Sequence, residues 1–165
     1  MIKTLFKIFT LVILTSGSAL AQKDLRNAVH YKTEWFEVAI FPASNQDILT
    51  REKRFTPTKE QVNLAELALV QKLEKLNYYL MNQTSTPVIH TNLHNYLRQY
   101  IGYINKQGQH ILLINSFWHN IDRTHNKYWL KMRVVVDFGG SFYWNVKYNI
   151  ETGELFDLRV NSNDI

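Results

Sequence analysis

The chain has 165 residues, no cysteine and a formal net charge of +5, with 19 Lys and Arg residues against 14 Asp and Glu. The absence of cysteine excludes disulfides, thiol catalysis, iron–sulfur clusters and cysteine-ligated zinc sites. The positive charge is mild and is not concentrated in basic runs, so the sequence predicts no nucleic-acid partner.

The first 21 residues have the three parts of a secretory signal peptide. Two lysines come first, an apolar run follows over residues 8–14, and Ala19-Leu20-Ala21 supplies the small residues that a signal peptidase recognises. The apolar run is too short for a membrane span, which needs about 20 residues. We therefore expect cleavage before Gln22, export to the periplasm or the exterior, and no transmembrane anchor in the mature protein.

Residues 22–56 are predicted to form an N-terminal segment that belongs to the same single domain as residues 57–165. Within this segment Trp35–Phe41 is rich in aromatic and β-branched residues, which predicts a strand that stops at Pro42. Residues 42–55 are polar with mixed charge, and they predict a loop or linker.

A long helix is predicted over residues 57–82. Thr56 and Pro57 have the chemistry of an N-cap and a first helical position. Polar residues and a proline end the helix at 82–87. Its apolar residues recur every three or four positions and form a wide face that needs a large cover: Val62, Ala65, Leu69, Leu73, Leu76 and Leu80, broadened by Leu64, Leu67 and Val70.

The rest of the chain supplies that cover as a series of predicted strands. Two of these segments alternate apolar and polar residues, which is typical of an antiparallel sheet with one buried face. Gly139-Gly140 between them predicts a tight turn with positive φ. We expect an α+β fold with one long helix on a curved antiparallel sheet of four or five strands. The predicted strands are Tyr96–Asn105, Ile111–His119, Tyr128–Val136, Phe142–Ile150 and Leu155–Val160.

A helix followed by an antiparallel meander resembles the cystatin-like roll, and short motifs within residues 57–161 are similar to those of small exported bacterial proteins without an assigned function. The resemblance implies the cystatin-like fold. The Gln-x-Val-x-Gly tip of cystatin-type protease inhibitors is absent, because Gln99-Tyr100-Ile101-Gly102 is one residue too short. The motifs that carry the resemblance are Tyr100-Ile101-Gly102-Tyr103, Gly139-Gly140-Ser141-Phe142-Tyr143, Tyr148-Asn149 and Leu158-Arg159-Val160-Asn161.

Histidines are the candidate metal ligands of this chain. His90 and His94 are spaced i,i+4, and His119 and His125 flank a short loop that contains Asp122. A histidine-type zinc site needs three or four converging ligands, which spacing does not establish. We expect no metal and no cofactor. No serine lies in a Gly-x-Ser-x-Gly context, although an active site assembled from distant residues is the alternative that motifs do not exclude.

The polar face of the predicted sheet carries the candidate binding residues. If the predicted strands are neighbours, these residues form one basic, aromatic-edged patch, which suits an acidic envelope component or a protein partner. The alternative is a solvated sheet face on which Lys and Arg only maintain solubility. The candidates share the outward parity of their strands: Lys131, Arg133, Lys147, Arg159, Trp129 and Tyr143.

The sequence therefore predicts an exported, non-enzymatic binding or accessory domain with an unidentified ligand. One alternative is a small-molecule-handling enzyme or ligand carrier with a pocket between helix 57–82 and the sheet. A second alternative is an inhibitor that acts through a loop tip. Binding is favoured over catalysis because the inward-facing side chains are nearly all apolar.

We predict that the mature protein begins at or near Gln22, because small residues occupy the two positions that signal peptidase reads before it. Intact-mass measurement of protein from the envelope fraction checks this. A retained Met1 in that fraction would contradict it.

Overall fold

A computed structural model describes residues 27–46, 48–49, 51–119 and 128–163, so the predicted signal peptide, Asp122 and His125 lie outside the described residues. Within these ranges the chain has an α+β fold with one α-helix, α1 (Lys59–Leu76), and seven strands. The strands are β1 (Val29–Lys32), β2 (Glu37–Phe41), β3 (Lys53–Phe55), β4 (Tyr96–Ile104), β5 (His110–Trp118), β6 (Tyr143–Asn149) and β7 (Glu154–Val160).

The strands form one mostly antiparallel sheet in the order β1-β2-β4-β5-β6-β7. Strands β4 to β7 are an antiparallel series, as predicted. Strand β2 runs parallel to β4 along Leu97–Ile101, and β3 pairs antiparallel with the remainder of the same edge. The sheet is larger than the four or five strands expected, because the N-terminal segment adds three strands and the predicted linker 42–55 contains β3.

The two central strands β4 and β5 are buried along nearly their whole length on both faces of the sheet. On the helix face, Tyr100 and Leu112 pack in one core cluster with α1 residues such as Leu69. On the opposite face, Leu97 and Leu113 pack in a second cluster. The expectation of one exposed sheet face is therefore wrong for β4 and β5, whereas β6 keeps the predicted alternation, with Trp144 and Val146 buried and the residues on either side of each partly exposed. A sheet covered on both faces has nearly continuous apolar sequence in its central strands.

Residues 128–136, which the alternating pattern predicted to be a strand, instead form part of an irregular segment on the second face. This segment, residues 128–138, is called the strap below. It opens with a 3-10 turn at Tyr128–Leu130, and Trp129 is buried against Phe117 of β5 with ring centroids 6.1 Å apart. Burial in this segment does not follow the alternation of residue types, since Trp129 is buried whereas Tyr128 and Met132 are exposed.

Two buried amide side chains hold the strap in place. Gln99 Nε2 donates to the main-chain carbonyls of Trp129 and Met132 at 2.7 and 2.8 Å. Gln99 Oε1 accepts from the main-chain N–H of Val134 at 2.9 Å, and Asn115 Nδ2 donates to the carbonyl of the same residue at 2.9 Å. These contacts satisfy main-chain groups that a strand would pair with another strand.

Helix α1 is shorter than predicted and starts two residues later. Thr58, and not Thr56, is the N-cap: its Oγ1 accepts from Gln61 N at 3.2 Å, and the Gln61 side chain accepts from Thr58 N at 3.0 Å. This capping box satisfies two main-chain N–H groups that would otherwise lack partners. No helix in the described part of the chain is long and apolar enough to cross a membrane. Of the predicted apolar face, Val62, Ala65, Leu69 and Leu73 are buried, whereas Leu64, Leu67, Val70 and Leu80 are exposed.

Gly139 and Gly140 have positive φ values of 99° and 54°, as predicted, but they do not join two strands. They lead into a 3-10 turn at Gly140–Phe142, immediately before β6. A Cβ at Gly140 would lie 2.2 Å from Asn163 Oδ1 and 2.8 Å from Thr86 Cγ2, so this close approach requires glycine.

A buried ion pair joins α1 to β4. Arg98 Nε and Nη2 donate to the two carboxylate oxygens of Glu66 at 2.7 and 2.9 Å, and the Tyr100 hydroxyl donates to Glu66 Oε1 at 2.8 Å. The side chains of Arg98 and Glu66 are only 1% and 9% exposed. Burial raises the pKa of Tyr100 well above its usual value, so the hydroxyl keeps the proton that it donates.

We predict that Glu66→Gln lowers the free energy of unfolding by about 3–5 kcal/mol, because it leaves the Arg98 guanidinium buried without a counter-charge. The matched control is Glu74→Gln at an exposed position of the same helix, where we expect a change within about 0.5 kcal/mol. Urea unfolding followed by circular dichroism measures both. Equal effects of the two substitutions would contradict the prediction.

Candidate binding groove

The six residues of the predicted basic patch do not lie on one surface. Trp129 is buried, and Tyr143 is partly buried against the same core cluster. Lys131 is exposed on the strap, where its main-chain carbonyl accepts from Asn45 Nδ2 at 3.4 Å. Side chains of the strap do not alternate between two sheet faces, because the strap is not a strand. Trp129, Lys131 and Arg133 therefore do not share one outward face.

Lys147 and Arg159 do come together, but around a carboxylate. Lys147 Nζ lies 2.6 Å from Asp157 Oδ2, and Arg159 Nε lies 2.9 Å from Asp157 Oδ1. Hydrogen bonds from Arg159 and Lys147 hold the pKa of Asp157 below its usual value. Asp157 has a φ of 52° and lies at the irregularity in the pairing of β6 with β7. The negative charge of Asp157 therefore neutralises one of the two positive charges in this cluster.

Arg133 differs from these two cations. It is half-buried on the strap, burial lowers its pKa, and its Nε has no hydrogen-bond partner in the described part of the chain. A partly desolvated guanidinium without a counter-ion favours the approach of an anion. Arg133 therefore remains a candidate for binding an anion, but as a single residue and not as part of a patch.

The histidines are differently arranged from the sequence expectation. His90 Nδ1 lies 3.1 Å from Asn77 Nδ2, and His94 lies in a 3-10 turn, Leu93–Asn95, so no α-helix places these two histidines on one face. Among the described residues, no group of three or more metal-ligating side chains is placed to hold an ion. His125 lies outside them.

Core side chains such as Leu69 and Tyr100 pack between helix and sheet, where a pocket was the alternative expectation, and an open cleft of about 450 Å³ lies between α1 and β7. Its charged groups are largely engaged with each other: Lys72 Nζ contacts Glu154 Oε1 and the Gly153 carbonyl, both at 2.8 Å. The remaining lining includes Lys75 and Leu155. This cleft offers few free polar groups to a ligand.

A groove of about 310 Å³ lies at one end of the sheet, where the β1–β2 turn, the start of β4 and the end of β5 meet. It is called the strand-end groove below. Its described lining contains three partly or largely exposed aromatic rings and two carboxylates, but no lysine or arginine. The side chains that give the groove its chemistry are Trp35, Phe36, Trp118, Glu34, Glu37, His94 and His119.

One wall of the groove is a well-ordered turn. Thr33 Oγ1 accepts from the main-chain N–H groups of Trp35 and Phe36, both at 3.1 Å, and Thr33 N donates to the Phe36 carbonyl at 2.9 Å. Such hydroxyl-to-backbone contacts favour a single turn conformation. They present the Trp35 indole to solvent with 76% of the residue exposed.

The opposite wall is fixed by aromatic packing. Trp118 packs edge-to-face against Tyr96 and Phe142, with ring centroids 5.0 and 5.5 Å apart. His119 N donates to the Asn95 carbonyl at 2.9 Å, which ties the end of β5 to the residue that precedes β4. These contacts restrain both walls of the groove.

Of the two carboxylates in the described lining of the groove, Glu37 is paired with Lys32 and His30, so Glu34 carries the negative charge that is not neutralised. Burial alone would raise the pKa of Glu37, but contacts with Lys32 and His30, both at 2.8 Å, hold this pKa below its usual value. Glu34 is exposed beside Trp35. An unpaired carboxylate beside aromatic rings, with no lysine or arginine among the described lining residues, favours positively charged groups.

The strand-end groove was not predicted from the sequence. Trp35 was assigned to a strand, and His94 and His119 were assigned to separate pairs, whereas the structure brings them together. The sequence feature that could have indicated the groove is Trp35, a bulky aromatic residue in a short polar turn between two segments rich in β-forming residues. No family model, curated protein or solved structure matches the chain.

We predict that Asp157→Asn flattens the acid side of the pH–stability curve. Because the native pKa is lowered, Asp157 adds stability above its unfolded pKa of about 3.9, and this contribution is lost as pH falls through the native pKa. For this partly exposed pair we expect a loss of about 0.2–1 kcal/mol at pH 7.

Asparagine tolerates the left-handed backbone at this position, so the substitution isolates the charge. Thermal unfolding from pH 7 down to about pH 2 gives the curve. Asp137→Asn removes an exposed carboxylate of the strap and is the control. A difference between Asp157→Asn and wild type that stays constant across this pH range would contradict the prediction.

Proposed function

We propose that the protein is an exported, non-enzymatic binding domain that takes an organic cation in the strand-end groove. The observation that carries this proposal is the lining, in which aromatic rings and two carboxylates come together without lysine or arginine among its described residues. Ammonium groups, especially alkylated ones, are attracted to aromatic faces and to nearby carboxylates. The signal-like N-terminus supports export.

The polar groups of the groove support binding in preference to catalysis. Glu37 is held by Lys32 and His30, and the Thr33 hydroxyl is occupied by the turn that presents Trp35. These contacts give Glu37 and Thr33 a role in positioning the walls, which supports binding. The walls are pre-organised, which lowers the entropic cost of binding.

We also propose that the part of the fold from α1 to β7 is a cystatin-like roll. One helix followed by an antiparallel series of strands supports this assignment. Strands β1 to β3 are additional to that pattern. They form one wall of the groove through the β1–β2 turn, so the proposed function depends on the added segment.

A second candidate function is recognition of an acidic envelope component at Arg133. It is supported by the half-buried guanidinium, whose Nε has no hydrogen-bond partner among the described residues. The two candidate functions require ligands of opposite charge, so titrations with a cation and with an anion distinguish them.

Choline is the probe for the groove, and the neutral isostere 3,3-dimethylbutan-1-ol is its matched control. In an NMR titration of the ¹⁵N-labelled mature protein we expect choline to bind with a Kd on the order of 1 mM or below, and the isostere at least about ten-fold more weakly. Trp35→Ala and Glu34→Gln should each weaken choline binding. Tyr79→Ala, which removes an equally exposed ring elsewhere, should leave it unchanged.

Equal affinities for choline and the isostere, or shifts confined to residues outside the groove, would contradict the proposal. Inorganic phosphate is the probe for the second candidate. Phosphate-induced shifts that Arg133→Gln abolishes, in the absence of any choline response, would favour the second candidate over the first.

A further inference from the structure

The four residues that follow α1 and its C-cap expose large apolar side chains. Tyr78, Tyr79, Leu80 and Met81 are 78%, 87%, 40% and 64% exposed, and the rings of the two tyrosines meet edge-to-face at 5.3 Å. Isolated exposed apolar residues are common, but several in succession are typical of an interaction surface. These four residues are called the tip below.

The base of the tip is clamped by a buried pair of amides. Asn77 Nδ2 donates to Gln83 Oε1 at 2.9 Å, and Gln83 Nε2 donates back to Asn77 Oδ1 at 2.6 Å. Gln83 Oε1 also accepts from Ile89 N at 2.9 Å. Asn77 and Gln83 are only 3% and 5% exposed, so water does not compete for these bonds.

The backbone of the tip is also constrained. Leu80 and Asn82 have positive φ values of 48° and 57°. Leucine rarely adopts this conformation, so the surrounding contacts must enforce it. Asn82 Nδ2 donates to the carbonyls of Val160 and Asn161 at 3.3 and 2.8 Å and thereby ties the tip to the end of β7. The exposed side chains therefore lie on a fixed frame.

An apolar depression of about 120 Å³ lies beside the tip, between it and β7. Leu76, Leu158 and Val160 line it together with the near side of the tip. Its volume is on the scale of a single ring, since an engineered cavity of about 150 Å³ accepts benzene. Tyr78 does not line the depression and points its ring elsewhere from the same frame.

We propose that this surface is the interface of a two-fold symmetric homodimer, in which Tyr78 of each copy enters the depression of the other. A projecting ring beside a hollow of the same chemistry is complementary to itself under a two-fold rotation. The fixed frame reduces the conformational freedom lost on association.

The available area fits a second copy. Leu64, Leu67 and Val70, which are 55%, 51% and 72% exposed, add apolar side chains on the exposed side of α1, and the exposed Glu74 lies between them and the tip. Tyr78 and Tyr79 alone can bury about 150–250 Å² each on association, a large part of the about 800 Å² that a standard interface buries on each partner. The segment from Asn77 to Gln83 carries no charge, so nothing in it selects an anionic membrane surface.

A dimer could also form if the edge strand β7 paired with β7 of another copy, but the structure disfavours this arrangement. Asn82 occupies carbonyls at the end of β7, and the irregular pairing near Asp157 interrupts this edge strand. Such irregularities protect sheet edges from adding further strands. The proposed contact is therefore made by side chains.

Analytical ultracentrifugation of the mature protein over about 5–500 µM tests the proposal, and we expect a concentration-dependent dimer. Tyr78→Ser combined with Met81→Ser should raise the dissociation constant at least about ten-fold without lowering Tm. Trp35→Ser removes an equally exposed aromatic residue of the strand-end groove and should leave dimerisation unchanged. A monomer across the whole range, which would leave the tip to a different partner, overturns the proposal, as does a dimer that the double substitution does not weaken.

The absence of cysteine permits a direct test of the contact. Two single variants, Tyr78→Cys and Val160→Cys, are purified with different tags, mixed and oxidised. The proposed packing predicts disulfide-linked pairs between the two variants in preference to pairs of either variant with itself. Equal cross-linking of Val160→Cys to Tyr78→Cys and to the control Trp35→Cys would overturn it. Choline binding is measured on a separate surface, so failure of one proposal leaves the other standing.

Discussion

The burial of two adjacent polar residues in the central strand β4 is the constraint on which the fold depends. Arg98 and Gln99 point to opposite faces of the sheet, and neither is in contact with water. A buried guanidinium needs a carboxylate, and a buried amide needs both donors and acceptors. Arg98 finds Glu66 of α1, and Gln99 finds the main chain of the strap. Two neighbouring positions thus fix both covering layers on the sheet.

This arrangement links the covering layers to the groove. The strand that carries Arg98 and Gln99 begins at Tyr96, which packs on Trp118 in one wall of the groove. The other wall is the β1–β2 turn, which leads into β2. Val38 and Ala39 of β2 pair with Arg98 and Gln99 of β4. The groove therefore takes its shape from the most deeply buried part of the molecule, and its walls have little freedom to move apart.

The elements that could be predicted from the sequence are those whose pattern depends on local chemistry. The helix was predicted from its three- and four-residue repeat, and β4 to β7 were predicted from apolar segments separated by turns. The strap was assigned wrongly, because its alternation of apolar and polar residue types is not matched by burial: Trp129 is buried, whereas Tyr128 and Met132 are exposed. The start of α1 was misplaced because Thr56-Pro57 and Thr58 both have N-terminal chemistry, and only the partner Gln61 selects Thr58.

The candidate site was harder to predict than the fold. Lys147 and Arg159 were expected to share a surface and do approach each other, but no sequence pattern indicated that Asp157 lies between them. The groove joins residues from three separate stretches, 33–37, 94–97 and 118–119. Their proximity follows from the parallel pairing of β2 with β4, and no local pattern encodes which edge of a sheet a strand joins.

The placement of β1, β2 and β3 also sets the order in which the molecule can fold. These strands come early in the chain, yet β2 and β3 pair with β4, whose last residue is Ile104. β1 and β2 can pair with each other early, but β2 and β3 gain β4 as a partner only when the middle of the chain is available, and the loops that close are long. We therefore expect the N-terminal strands to join the sheet late in folding, because their contacts with β4 are non-local.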